Sequence, residues 1–225
     1  MKKKSRKFSF ILLGIFSISG LCMVYFKGCW WPAKAVMAGE KCGPEAVIEN
    51  YGDDIKNYAD EFHLDSRYLA ALCMMESGGR KPVPFRFEKH VYTRLKLTQI
   101  HLRDSYEHVK ADHISDAGDE ALQNLASSWG PFQLMGYKCL MFGIKVKDLR
   151  GDNGVYWASK WIDSAYGKYI RKGEFKNAFH IHNAGTPFPK SGKSKTYDPA
   201  YVDKGLKWMK YFEQKGFKGK KKIEK

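Results

Sequence analysis

The chain has 225 residues and a formal net charge of +15 at pH 7, with 13 Tyr, 14 Phe and 6 Trp. Once a leading apolar segment is set apart, that length suits one domain with a sizeable core and requires no second. Setting aside Lys2, Lys3, Lys4, Arg6, Lys7 and Lys27, which flank the apolar segment, leaves 33 basic against 24 acidic side chains, or +9. Such a surface favours anionic polymers such as acidic lipid headgroups or a carboxylate-bearing cell wall. Nucleic acid is not expected as a partner, because neither a paired Cys/His finger spacing nor the aromatic-glycine pattern of a single-strand reader occurs.

Residues 8–26 form a run of 19 without a charge, preceded by a basic start and followed by Lys27, Trp30 and Trp31. The run is long for a cleaved signal and long enough to span a bilayer, and the Trp pair suits a membrane interface. We expect residues 1–35 to be a signal peptide or signal anchor with a short linker, with a retained anchor ahead of cleavage at Ala33-Lys34-Ala35. Basic residues before the run hold that end in the cytoplasm and send the rest across. An exported protein meets an oxidising compartment, where Cys29, Cys42, Cys73 and Cys139 allow three disulfide pairings; Cys73, in an apolar helix, fits a buried free thiol. No Cys or His spacing suggests zinc.

From Pro44 the pattern is helical. Val47, Tyr51, Ile55, Tyr58 and Phe62 line one side of a first helix, with Pro44 suited to its first turn. A second apolar run from Tyr68 can be capped by Asp65 or Ser66 and stopped by Gly78 or Gly79, and it ends abruptly on Glu76. Glu76 shares the helical spacing of Leu69, Leu72 and Cys73, which places it on a buried face in the last turn. Desolvation and the partial negative charge of a helix C-terminus both disfavour the carboxylate there. A Glu that stays protonated unusually high on the pH scale suits a general acid working near neutrality.

Residues 83–92 alternate apolar and polar side chains and predict a short strand. The polar stretch 95–126 reads as an insertion with one or two helices. Residues 127–137 form a Gly/Pro-punctuated connection carrying large side chains, which a plain solvent loop would avoid. Val155, Ala158, Trp161, Ile162, Ala165, Tyr166 and Tyr169 mark a long amphipathic helix. A shorter one carries Phe175, Ala178, Phe179 and His182 and stops at Gly185. Asp198-Pro199 reads as a cap and first-turn proline of a last helix buried through Val202, Leu206, Met209 and Phe212. The expected domain covers 44–214, followed by a basic flexible tail, 215–225.

Three pieces in this order resemble the lysozyme-like superfamily, in its lytic transglycosylase and goose-type lysozyme branch close to phage-type N-acetylmuramidases. They are Glu76-Ser77, Gly130-Pro131-Phe132-Gln133-Leu134-Met135 and Ile181-His182-Asn183-Ala184-Gly185. The resemblance implies a mainly α, lysozyme-like helical domain with at most a small β element. It also implies cleavage of the β-1,4 bond between N-acetylmuramic acid and N-acetylglucosamine in peptidoglycan. Glu76 takes the catalytic position, and Ser77, Gln133, Met135, His182 and Asn183 match positions that shape the sugar cleft. His182 stands where the family usually has Tyr, and Pro131-Phe132 replaces a small apolar pair.

Glycoside cleavage ordinarily uses two carboxyl groups, whereas only Glu76 lies at a clear motif. That shortage favours lytic transglycosylation, which needs no water and no second carboxylate. Glu88 is the candidate second carboxylate of a hydrolase, with surface pairing to Arg86, Lys89 or Arg94 as its simpler role. His180 and His182 point to different faces of a helix, so no metal and no cofactor is expected. The resulting expectation is an exported bacterial cell-envelope enzyme, periplasmic and anchored in the inner membrane. Its partner is peptidoglycan, and its cutting would open the wall for a secretion or conjugation machine. The alternative of another class is an inactive wall-binding scaffold.

Overall fold

In the computed structural model, residues 41–219 are described. The N-terminal signal or anchor segment lies outside them, and among the described residues no helix is long and apolar enough to cross a membrane. The architecture is mainly α. Helix α1 (Pro44–Glu61) opens on Pro44, which gives up no needed N–H at a helix start, and buries Val47, Tyr51 and Ile55. Helix α2 (Ser66–Ser77) begins where the Asp65 carboxylate accepts the Arg67 N–H at 2.9 Å, and stops at Gly78, whose left-handed φ of 63° costs a glycine little.

Every residue of α2 from Tyr68 to Met74 is buried, so this helix is the centre of the core. It packs between α1 and the last helix, α8 (Tyr201–Gln214). Helices α6 (Gly154–Arg171) and α7 (Phe175–Ala184) complete the bundle, with α6 against α1 and α7 against α8. A Cβ on Gly205 would come within 2.8 Å of the Phe179 ring, so the bare glycine is what lets α7 and α8 approach this closely.

The strand elements are small. A three-stranded antiparallel sheet runs β1 (Arg86–Phe87), β4 (Ser127–Trp129), β5 (Leu134–Met135), with Ser128 opposite both Arg86 and Met135. A separate hairpin pairs β2 (Ser105–Tyr106) with β3 (Val109–Lys110) through the two-residue turn Glu107-His108. Helices α3 (Lys89–Gln99), α4 (Asp119–Leu125) and α5 (Val146–Arg150) surround these strands.

Several expectations are corrected. The strand over 83–92 shrinks to two residues because Val91, Leu95 and Thr98 carry a helical spacing that α3 buries, while Phe85 and Phe87 both stay exposed. The stretch 95–126 contributes the end of α3, the β2–β3 hairpin and α4. The cap of α8 is Ala200; Asp198 instead closes the preceding turn, accepting the Ala200 N–H on its carboxylate and the Tyr201 N–H on its carbonyl.

Residues 215–219 are not a free tail. Phe217 is buried against Phe212, and the Ser66 hydroxyl both donates to the Lys218 carbonyl and accepts its N–H. Cys42 is disulfide-bonded whereas Cys73 and Cys139 are buried free thiols, so none of the three complete pairings forms.

Candidate active site

The end of α2 delivers Glu76 to a largely dry position, with 18 % of the side chain exposed. One oxygen, Oε1, accepts a hydrogen bond from the Tyr201 hydroxyl at the start of α8 and lies 3.7 Å from Nε2 of His182 on α7. Three core helices therefore converge on one carboxyl group. Burial pushes its pKa up to about 7, overriding the Tyr201 hydrogen bond and the positive charge of Arg86, which both favour ionisation. The direction agrees with the expectation from the apolar run.

The groups in contact with Glu76 are neutral at pH 7. Burial pulls His182 down to about 4 against the opposing hydrogen bond with the Phe132 backbone, so its contact with Glu76 is not an ion pair. Burial also raises the phenols of Tyr166 and Tyr201 well above their ordinary value. Tyr68 donates to Tyr166, and Tyr166 hydrogen-bonds Nδ1 of His182 at 2.7 Å. With Nδ1 accepting from Tyr166, the imidazole keeps its proton on Nε2. The cluster thus holds one proton that moves near neutrality, on the Glu76 carboxyl group.

A groove of about 480 Å³ lies beside this cluster, walled by Gln133, Met135, Trp161, His182 and Asn183, with Glu107 and Lys138. His182 belongs to both, so it joins the groove to the acid, which is not itself part of the wall. Asn183 is exposed in the last turn of α7, with its amide free of hydrogen bonds among the described residues. Gln133 holds φ at 48°, and its amide is committed: Oε1 accepts from Ser128 at 2.8 Å, and Nε2 donates to the carbonyls of Pro84 and Gly130. It stitches the β1–β4–β5 region together while one side lines the groove. Met135 is half-buried on β5 and packs against the core.

Ser77 does not reach the groove. It is buried, its hydroxyl donating to the Cys73 carbonyl and accepting the Gly79 N–H, so it secures the helix end that carries Glu76. Glu88 is paired with Arg86, Nε to Oε1 at 2.9 Å, and approached by His90 at 3.5 Å. That is the surface-pairing role, with Arg86 as the partner that forms. His180 accepts the Lys195 N–H and meets the Thr186 carbonyl, pointing away from His182. Among the described residues no group of three His, Cys, Asp or Glu side chains could hold a metal ion.

Sequence reasoning missed Tyr201, Tyr166, Glu107, Lys138 and Trp161 as site residues. Tyr201 had one available signal, its position one helical turn before Gly205 and next to Val202 on the buried side of α8. Comparison with protein-family models, with curated proteins and with solved structures returns no match.

Proposed function

We propose that this chain is a peptidoglycan-cleaving enzyme of lysozyme-like type, a lytic transglycosylase in which Glu76 is acid and then base. The observation that carries the reading is a single largely buried carboxyl group, its pKa raised to about 7, hydrogen-bonded to Tyr201 and adjoining a groove through His182. The exposed amide of Asn183 and the Trp161 and Met135 surfaces suit the hydroxyl, acetamido and apolar faces of an aminosugar strand. The second and third motifs wall one groove, and the first adjoins it through the contact of Glu76 with His182, which supports the same assignment.

In the first step protonated Glu76 donates its proton to the bridging oxygen as the glycosidic bond breaks, releasing the N-acetylglucosamine side as an alcohol. The carboxylate left behind is stabilised by the Tyr201 hydroxyl. In the second, it removes the proton from the 6-hydroxyl of the N-acetylmuramic acid, whose oxygen closes on the anomeric carbon. Glu76 ends protonated, the product is a 1,6-anhydro sugar, and no water enters. A neutral His182 suits this chemistry, since an imidazolium at 3.7 Å would hold Glu76 ionised.

Pairing of Glu88 with Arg86, and of Glu107 in the groove with Tyr137 and Lys138, favours this route over hydrolysis, because it engages both nearby carboxylates. The cellular setting we propose is the periplasm, with the 8–26 segment as inner-membrane anchor and wall opening for a secretion or conjugation machine as the purpose. Mass analysis of soluble products from purified peptidoglycan tests the chemistry. Anhydro ends are expected; reducing ends would assign a hydrolytic N-acetylmuramidase. Undiminished lysis by Glu76→Gln would remove the assignment of the acid, and absence of cleavage by the native chain would leave a wall-binding scaffold.

A further inference from the structure

Four non-glycine residues among those described hold a positive φ: His63, His101, Glu107 and Gln133. Two of the four, Glu107 and Gln133, wall the same groove. A left-handed backbone at a residue with a Cβ costs about 1 kcal/mol or more, and it persists where the surroundings over-determine it. Gln133 is explained by the three segments it stitches together. Glu107 occupies the first position of the two-residue turn between Tyr106 and Val109, where a glycine would fit without strain. The chain accepts that cost and places a carboxylate in the groove.

Both oxygens of this carboxylate have one partner. Tyr137 donates to Oε1 at 2.6 Å, and the Lys138 ammonium donates to Oε2. Lys138 is itself only 13 % exposed, its charge lying over the rings of Tyr137 and Trp161 at 4.9 and 5.2 Å. Glu107 remains 44 % exposed, so a second lone pair on its oxygens is open to the groove. Burial raises the carboxyl pKa, but the hydrogen bonds from Lys138 and Tyr137 outweigh it and hold the group ionised. The open partner of the pair is thus an acceptor, and the pair as a whole carries no net charge.

From this geometry we propose that Glu107 is a substrate-binding residue that accepts a neutral amide N–H of the glycan strand, either an acetamido N–H or the first amide of a stem peptide. The electroneutrality of Glu107 with Lys138 selects a neutral donor over an ion, and the exposed amide of Asn183 offers the complementary group in the same groove. The inference rests on the peptidoglycan reading above and adds to it the residue that recognises the strand away from the reacting bond.

The test is binding of soluble glycan oligomers, with and without stem peptides, to the full chain carrying Glu76→Gln, so that nothing is cleaved. Adding Glu107→Gln should weaken binding of stem-bearing oligomers about tenfold, because a neutral amide with one accepting oxygen replaces an ionised acceptor with two. Adding Lys138→Gln instead breaks the same ion pair yet leaves the accepting carboxylate, and should weaken binding less than Glu107→Gln does. A Glu107 effect that vanishes on stripped strands names the peptide amide, and one that persists names the acetamido group. Equal losses for Glu107→Gln and Lys138→Gln would reduce Glu107 to a fastener of the hairpin, and native-like affinity of Glu107→Gln would also overturn the proposal. Glu107→Gly, which suits the turn, should repeat the loss if Gln loosens the hairpin. Binding with no dependence on Glu107 sinks only this residue's role; no binding by any variant sinks the peptidoglycan reading with it.

Discussion

Two glutamates, Glu107 in the groove wall and Glu76 behind it across His182, are held in opposite states. Glu76, presented by three packed helices, is surrounded by phenols and a neutral imidazole, and burial drives it toward the protonated form. Glu107, presented by a hairpin turn, meets an ammonium and a phenol and is driven toward the ionised form. Desolvation acts on both in the same direction. The difference lies in the compensating charge: Lys138 adjoins Glu107 directly, while the positive charge felt by Glu76, that of Arg86, is already paired with Glu88. The scaffold thus sets the role of a carboxyl group by where it locates the nearest unspent cation.

The largest expected effect breaks the chemistry on one side of this comparison only. Glu76→Gln should lower release of soluble fragments from peptidoglycan by about 10²- to 10⁴-fold, the usual worth of a positioned acid and base, with strand binding retained in co-sedimentation. The same variant should be more stable than the native chain at pH 8. A carboxyl group whose folded pKa is raised from 4.5 to about 7 contributes stability below pH 4.5 that is lost as pH rises through 7. The difference between the two proteins should grow across that window to about 3 kcal/mol, measured by denaturant unfolding at pH 4 and pH 8. Comparing the two proteins at each pH also isolates Glu76 from His182, whose depressed pKa makes stability rise over part of the same range.

Smaller effects sharpen the contrast. Tyr201→Phe removes the hydrogen bond that favours the Glu76 carboxylate, so the alkaline limb of the rate profile should move to higher pH, with kcat down on the order of tenfold; a limb that stays put would disconnect Tyr201 from the acid. Glu107→Gln should show the opposite stability sign to Glu76→Gln. A depressed carboxyl pKa stabilises above the ordinary Glu value and loses that contribution as pH falls, so this variant should be less stable at pH 7 and equal to the native chain in acid. Screening at a half-open side chain limits the loss to less than about 1 kcal/mol, readable as a small shift in Tm.

Much of the Glu76 side could be read from the sequence, because it is encoded by local helix signals. The Asp65 cap, the apolar run and the Gly78 stop fix both the helix and the turn on which Glu76 sits, and the groove brings Gln133, Met135, His182 and Asn183 together. Ser77 shows the limit of motif reasoning, since the same residue type can point inward and hold the helix end instead of a ligand. The Glu107 side was closed to such reading. Its turn lacks the Gly or Asn that advertises a tight hairpin, and the pairing of Glu107 with Tyr137 and Lys138 spans about thirty positions that no periodicity connects. Tyr201 was hidden for a related reason, being 125 residues from the acid it contacts. Phe217 was masked by the lysines around it, although one aromatic ring with a pocket to fill outweighs several charges that remain solvated.

The glycine at 205 gives the molecule a remote adjustment screw. Tyr201 lies one turn earlier on the same helix, so any side chain added at 205 would wedge the helix off Phe179 and draw the phenol away from its oxygen. A single methyl group, placed outside the groove wall, would then retune the acidity at which the molecule works.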